Sequence, residues 1–153
     1  MRRSEKEIKD IKLIYSILNE AEVCRVGFSR ANKPYIVPMN FGFDEGHIYL
    51  HSSVEGKKME ILKENKNLCF EVDVRSELVK SEKPCNWGMK YVSVMGNGTA
   101  ELIEKPEEKI KALDIIMDKY DDEGLNSREY LESSLKRTAV IKLNITELTG
   151  KIS

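Results

Sequence analysis

The chain has 153 residues, a length that allows one domain with a substantial core. Its hydrophobic content of 41%, its charged content of 33% and its formal net charge of −1 are those of a globular protein and argue against general electrostatic binding of nucleic acid. No apolar run approaches the roughly 18 residues of a membrane-spanning helix, and residues 1–7 lack the apolar segment of a secretory signal, so we expect a cytoplasmic protein.

Apolar residues at helical spacing predict four helices, and alternating apolar residues predict six strands. The predicted helices cover residues 4–19 with Ser4 as N-cap, residues 55–65, a segment that begins at Pro106, and residues 128–136. The predicted strands are Val23–Ser29, Pro34–Phe43, His47–His51, Leu68–Val74, Tyr91–Ile103 and Thr138–Leu148. With no repeat or linker, this pattern predicts one α+β domain over residues 1–153, and Gly96 and Gly98 favour a small barrel over a flat sheet.

The segment after the third predicted strand contains the strongest candidate binding site. It passes through Ser52 and Ser53 to Gly56, Lys57 and Lys58 at the start of a helix. A helix start presents backbone N–H groups without intrahelical partners, and the helix dipole adds partial positive charge there. The two serines and two lysines therefore predict a phosphate site. The same residues also fit ordinary caps and solvated helix positions.

Two other stretches allow a functional and a structural interpretation. Pro38 cannot donate to a β-ladder, so the backbone beside Met39 and Asn40 either faces a ligand or belongs to a plain edge strand. Trp87, the single tryptophan, lies in the predicted loop 76–88. It either covers a ring-shaped ligand or packs against its own domain or a second subunit.

A metal site is not predicted. The two histidines, His47 and His51, lie on one face of a predicted strand. A protein metal site needs three or four ligands, and no cysteine, histidine or acidic partner is placed nearby in the sequence.

Several short motifs together resemble a known family. They are PYIVPMNF at 34–41, IYLHS at 48–52, GKKMEIL at 56–62, C-x-W at 85–87, YVSVMGNG at 91–98 and ITELTGK at 145–151. In order and spacing they resemble the pyridoxamine 5′-phosphate oxidase-related, FMN-binding split β-barrel proteins. The nitroimidazole-resistance (Nim-type) branch is the most similar, because it also has a histidine at the position of His51. The resemblance covers nearly all of the chain.

The resemblance implies a six-stranded antiparallel split β-barrel with peripheral helices, and a homodimer with FMN bound at the subunit interface. It implies that Pro38, Met39 and Asn40 run along the isoalloxazine ring, largely through their backbone. His51 and Ser52 would lie beside the ring or the ribityl chain.

For the phosphate, the resemblance implies contacts with Lys57 and Lys58, in agreement with the reading of the helix start. Arg25 is a further cation that either reaches the phosphate or is an exposed strand residue. Trp87 is a candidate flavin contact, from its own subunit or across the dimer.

The motifs differ from true pyridoxamine phosphate oxidases in two places. The phosphate motif is Gly-Lys-Lys instead of Ser-Arg-Lys, and lysine lacks the bidentate fork of arginine. The final residues do not contain the substrate-binding Arg and Pro pattern, so vitamin B6 oxidation is not expected.

Three possibilities therefore remain from the sequence. One is an FMN-dependent reductase of a nitro compound, a quinone or a similar small oxidised substrate, with His51 as proton donor. For His51 the structural alternative is a hydrogen bond within the barrel. Another is a protein that binds a flavin, haem or deazaflavin without catalysis. A dimer with an empty site is a third possibility.

Overall fold

A computed structural model describes residues 4–121, 124 and 128–153. These residues form eight β-strands, four α-helices and two short 3₁₀ turns, at Ser4–Lys6 and Pro84–Asn86. In chain order the elements are β1 (Glu7–Ile8), α1 (Ile11–Glu20), β2 (Cys24–Arg30), β3 (Lys33–Met39), β4 (Phe41–Asp44), β5 (His47–Ser53), α2 (Lys57–Glu64), β6 (Asn67–Val79), β7 (Gly88–Ile103), α3 (Pro106–Asp118), α4 (Glu132–Arg137) and β8 (Thr138–Ile152).

All strands belong to one antiparallel sheet with the order β3-β2-β6-β7-β8-β5-β4, and β1 pairs with β8. The two edge strands, β3 and β4, do not pair with each other in the described chain, so the sheet curls without closing. The predicted α+β split barrel is therefore confirmed.

The strand count is eight instead of six, and the main reason lies at Asn40. The segment Pro34–Phe43 was predicted as one strand, but Met39 pairs with Cys24 while Phe41 pairs with Leu50. These partners lie at opposite edges of the sheet. The chain thus leaves one edge and joins the other through a single residue, and one predicted strand becomes β3 and β4.

The predicted helix 4–19 is wrong in its first part. Ile8 is buried in the short strand β1, opposite Gly150 of β8. The N-cap is Asp10 and not Ser4, because the Asp10 carboxylate accepts a hydrogen bond from the backbone N–H of Lys12 at 2.9 Å. Pairing with β8 therefore overrides a helical spacing that continues through Ile8.

The predicted loop 76–88 is shorter than expected. After an irregularity between Val74 and Glu77, β6 continues to Val79 and pairs with the start of β7 at Gly88. Residues 77–90 thus form a two-stranded extension of the sheet, beyond the last residues that pair with β2 or β8.

The helices cover only part of the sheet. The main core lies inside the barrel and includes Val26, Phe28, Phe41, Leu50 and Phe70, with α1 packed against it. A smaller cluster joins α3 to the outer surface of β5 and β8. The outer surface of β3, β2, β6 and β7 carries exposed side chains, so this face of the sheet is open.

Cys24 provides a pH test of the core. Burial raises the pKa of its thiol to about 12, whereas an unfolded thiol titrates near 8.5. Between these values the folded state binds more protons, so the contribution of Cys24 to the free energy of unfolding is present below pH 8.5 and is lost as the pH rises toward 12. Between pH 7.5 and pH 9.5 we expect the free energy of unfolding of the wild type to fall by about 1 kcal/mol more than that of a Cys24→Ala variant.

Urea denaturation at pH 7.5 and pH 9.5 under reducing conditions measures this difference. Cys85→Ala is the matched control, because that thiol is exposed. Equal pH dependence in the wild type and in Cys24→Ala would contradict the prediction.

Candidate functional site

The start of α2 is open to a ligand. Its N-cap residue, Gly56, has φ 110° and ψ 176° and provides no side-chain cap. This backbone conformation is one that residues with a side chain rarely adopt. Ser53 accepts a hydrogen bond from the N–H of Glu55 at 3.3 Å, which lies before the helix. The N–H groups of the first helical turn are therefore left without a side-chain cap.

The charges at this helix start oppose the helix dipole. Lys57 and Lys58 are the first two residues of α2, where the dipole disfavours cations, and Glu60 is the acidic residue of the first turn. Neither lysine forms an ion pair with any residue that the structure describes. The Lys57 ammonium instead lies 4.3 Å from the ring centroid of Tyr35 on β3, a cation–π contact.

The junction between β3 and β4 lies on the same side of the split. Pro38 and Asn40 are exposed, whereas the Met39 side chain is buried in the core. Met39 can therefore offer a ligand only its backbone, as the sequence interpretation requires. Because β3 has a pairing partner on one side only, its other edge is free in the described structure.

The end of β5 lies next to this junction. Phe41 pairs with Leu50, so Asn40 and His51 follow at the same end of the β4–β5 hairpin. Ser52 is half-buried and Ser53 is exposed.

His51 is exposed and opposite Val140 on β8. Its imidazole forms no hydrogen bond with the part of the chain that the structure describes. The structural alternative for His51, a hydrogen bond within the barrel, is therefore not what the structure contains.

The structure thus brings three predicted segments together around the split. They are the β3–β4 junction (Pro38, Met39, Asn40), the end of β5 (His51, Ser52, Ser53) and the start of α2 (Lys57, Lys58). We call this region the split site.

Arg25 lies on the open outer face. It is opposite Pro38 in the β2–β3 ladder, but its guanidinium pairs with Asp73 and, at 3.1 Å, with Glu71 on β6. The hydrogen bond with Asp73 raises the pKa of Arg25 above its usual range. Its role as a phosphate ligand stays a prediction. Binding the phosphate would require Arg25 to break its ion pairs with these two carboxylates.

Trp87 lies far from the split site of its own chain. It precedes β7, whereas the row that contains His51 and Val140 meets β7 at Ile103, sixteen residues further on. At about 3.3 Å per residue this is about 50 Å along the strand. The indole N–H donates to the Ser81 carbonyl at 2.7 Å, and about half of the side chain is exposed.

One residue of the split site was missed by the sequence interpretation. Tyr35 lies beneath Lys57, but the two residues are 22 positions apart and belong to different elements. They are neighbours because α2 packs against the β2–β3 hairpin, where Arg30 pairs with Glu64. No sequence signal beyond the aromatic residue in a strand pattern could have identified this contact.

The described residues contain neither a candidate metal site nor a helix that could span a membrane. Within residues 4–121, 124 and 128–153, no group of three or more His, Cys, Asp or Glu side chains could hold a metal ion. In the same residues, no helix has the length and apolar character needed to cross a bilayer.

Comparisons with known proteins agree with this geometry. The family model described as pyridoxamine 5′-phosphate oxidase matches residues 10–152. A candidate 5-nitroimidazole antibiotic resistance protein from Bacteroides thetaiotaomicron is 37% identical, with 95% of this chain and 86% of that chain covered and a TM-score of 0.84. A search of curated proteins found no match.

Two further solved structures are similar. The flavocytochrome Anf3 from Azotobacter vinelandii is 25% identical, with 100% of this chain and 72% of that chain covered and a TM-score of 0.86. The FAD and heme binding protein from Mycobacterium smegmatis is 20% identical, with 97% and 73% covered and a TM-score of 0.86, and it supports the fold alone.

Proposed function

Because the chain belongs to the pyridoxamine 5′-phosphate oxidase family, we propose that it binds FMN at the split site and reduces a small oxidised substrate. The observation that carries this proposal is the pair of unopposed lysines at the start of α2. Two cations at the positive end of a helix are unfavourable, and a bound anion would offset that cost. A flavin phosphate would supply that anion, and uncapped backbone N–H groups would add hydrogen bonds.

The remaining residues of the split site suit the rest of the cofactor. Pro38 and Asn40 are exposed along the free edge of β3, where a planar ring can lie against the backbone. His51 and Ser52 lie near the end of β5, which comes between the β3–β4 junction and α2 in the chain, and we assign them to the ring or the ribityl chain. These positions are the basis for assigning Pro38, Met39, Asn40, His51, Ser52 and Ser53 to FMN, with Lys57 and Lys58 at its phosphate.

When bound, FMN supplies hydride or electron transfer, and the protein's own residues supply position and protons. His51 is the proposed proton donor, because its imidazole is exposed and has no partner in the described structure. An imidazole can exchange a proton near neutral pH. Reduction of a nitro compound or a quinone consumes protons as well as electrons, so a proton donor at this edge of the site would assist it.

A second candidate function is binding without catalysis, with haem as the ligand best supported after flavin. The similarity to a flavocytochrome, at 25% identity over the whole chain, favours haem over other tetrapyrroles or a deazaflavin. The visible spectrum of the purified protein distinguishes the two ligands directly.

We also propose that the active form is a homodimer, joined through the open outer face of β3, β2, β6 and β7. Ile36 is 67% exposed and Met95 is 58% exposed on this face. They line a mainly apolar groove of about 600 Å³ together with Arg25 and Gly27. A second copy would cover this groove. In such a dimer, Trp87 could contact the flavin of the partner subunit.

Replacing both Lys57 and Lys58 with alanine should lower FMN affinity about 100-fold or more, because charge-assisted hydrogen bonds to the phosphate are lost. Riboflavin lacks the phosphate, so its affinity should change little. Flavin fluorescence titration measures both. Lys63→Ala, in the last turn of the same helix, is the matched control. Equal losses for FMN and riboflavin would place the phosphate elsewhere.

His51→Gln should reduce turnover of a nitro or quinone acceptor about 100-fold while FMN occupancy is retained, because only the proton donor is removed. Steady-state assays with FMN-loaded protein and a reduced nicotinamide donor measure this effect. His47→Gln, the same substitution at the other end of the same strand, is the matched control. FMN-loaded wild-type protein that turns over no acceptor would favour the binding-only function.

The double substitution Ile36→Asp and Met95→Asp should convert a dimer into monomers, because burying two carboxylates in an apolar interface is costly. Light scattering coupled to size exclusion measures the mass, and far-UV circular dichroism checks the fold. Leu131→Asp is the control, since Leu131 is 72% exposed outside this face. If the double variant is still a dimer, this face is not the dimer interface.

A further inference from the structure

A polar cluster on the open sheet face lies apart from the split site. It consists of Lys6 from the N-terminal turn, Tyr91 and Ser93 from β7, and Lys151 from β8. Lys151 lies directly opposite Ser93 in the β7–β8 ladder. Ser53 of the split site pairs with Thr138 at the start of β8. Lys151 is thirteen residues further along this strand, a distance of about 40 Å.

Ser93 is the feature that points to a ligand. It is the buried polar residue of the described chain, with only 7% of its surface exposed. Its hydroxyl forms no hydrogen bond with any described residue. Its oxygen still touches solvent-accessible space, because no fully buried side-chain oxygen or nitrogen lacks a partner in the described structure. A buried hydroxyl without a protein partner is normally satisfied by a molecule from solution.

The groups around Ser93 are hydrogen-bond donors. The Lys151 ammonium donates to the Tyr91 hydroxyl at 2.5 Å. The phenol oxygen is therefore an acceptor in that bond, and the Ser153 side chain is a second hydrogen-bond partner of Tyr91. Each ammonium has three N–H donors, and Lys6 uses one of them on the Ser153 hydroxyl at 3.3 Å.

Two ammonium groups and two carboxylates lie around Ser93. Neither Lys6 nor Lys151 forms an ion pair with a described carboxylate. Glu7 lies opposite Lys151 in the β1–β8 ladder, without an ion pair to it. Asp73 lies on the other side of Ser93 in the β6–β7 ladder.

That second carboxylate is already engaged. Asp73 pairs with Arg25 and accepts a hydrogen bond from Ser76 at 3.1 Å. The hydrogen bond from Lys151 lowers the pKa of Tyr91.

We infer that Lys151, Ser93, Tyr91 and Lys6 form a second anion-binding site, for the oxyanion of a small carboxylate or phosphate compound. None of these residues lines the groove at Ile36 and Met95 through which the proposed dimer is joined. Each ammonium keeps N–H donors beyond the one it uses on a described acceptor, and the Ser93 hydroxyl, on the residue opposite Lys151, has no described partner. We call this cluster the β7–β8 anion site. It goes beyond the proposed flavin function, because it uses none of the residues of the split site.

Titration of the full-length protein with inorganic phosphate, and separately with acetate, tests this inference. Amide chemical shifts in a two-dimensional NMR spectrum report the two sites independently, at residues 91–93 and 151 and at residues 56–58. We expect saturable shifts at the β7–β8 anion site with either anion, and the anion that binds more tightly identifies the oxyanion class.

Lys151→Met and Ser93→Ala should each weaken this binding about tenfold or more, because each removes a donor to a charged group. Ser93→Ala keeps the shape of the strand residue and guards against a folding defect. Lys90→Met is the matched control, because Lys90 lies on the same strand but pairs with Glu77 at 3.8 Å. Its affinity for the anion should not change.

The inference is overturned if neither anion gives saturable shifts at residues 91–93 and 151, or if Lys90→Met weakens binding as much as Lys151→Met. Flavin binding is measured separately by fluorescence. If the anions cause no shifts at residues 91–93 and 151, the flavin proposal is unaffected. If FMN does not bind, the chemical shifts at residues 91–93 and 151 still test the β7–β8 anion site.

Discussion

The barrel stays split because its two edge strands are consecutive in the chain and cannot pair with each other. Met39 ends β3 at one edge of the sheet, and Phe41 begins β4 at the other, with Asn40 as the only residue between them. The free edge of β3 and the end of β5 therefore lie on either side of one opening. The start of α2 lies at the same opening, because the Lys57 ammonium contacts Tyr35 on β3.

The cationic side chains of this protein differ in whether they have a carboxylate partner. Arg25, Arg30, Arg75 and Arg128 all pair with carboxylates of described residues. Lys57 and Lys58 at α2, and Lys6 and Lys151 on the open face, have no such partner in the same part of the chain. Exposed ion pairs contribute little to stability. Among the described lysines only Lys90, Lys105 and Lys136 form ion pairs, so it is the neighbouring backbone or hydroxyl donors that set these four lysines apart.

The open face and the split site depend on the same arrangement of helices. The helix α3 packs on β4 and β5, and its backbone at Ile115 comes within 2.8 Å of the position that a side chain on Gly42 would take. No described helix covers β3, β2 and β6 on their outer surface, where Ile36 is exposed. The proposed dimer, the position of Trp87 and the second anion site all concern this uncovered face.

The sequence by itself determined the fold class, the family and most of the split site. Strand alternation from Leu68 to Val74, the proline at the start of α3 and the paired lysines after Gly56 are local patterns, and local patterns follow from backbone geometry and side-chain burial. The family motifs extended this reading to the residues of the β3–β4 junction.

Tertiary structure decided what each candidate touches. Ile8 joined a strand instead of a helix because β8 offered it a partner, and Arg25 met Glu71 and Asp73 because β2 lies beside β6. Tyr35 and Lys57 are neighbours because α2 packs against the β2–β3 hairpin, and Ser93 and Lys151 are neighbours through strand register. Register couples residues that are far apart in the chain, so no local pattern contains it.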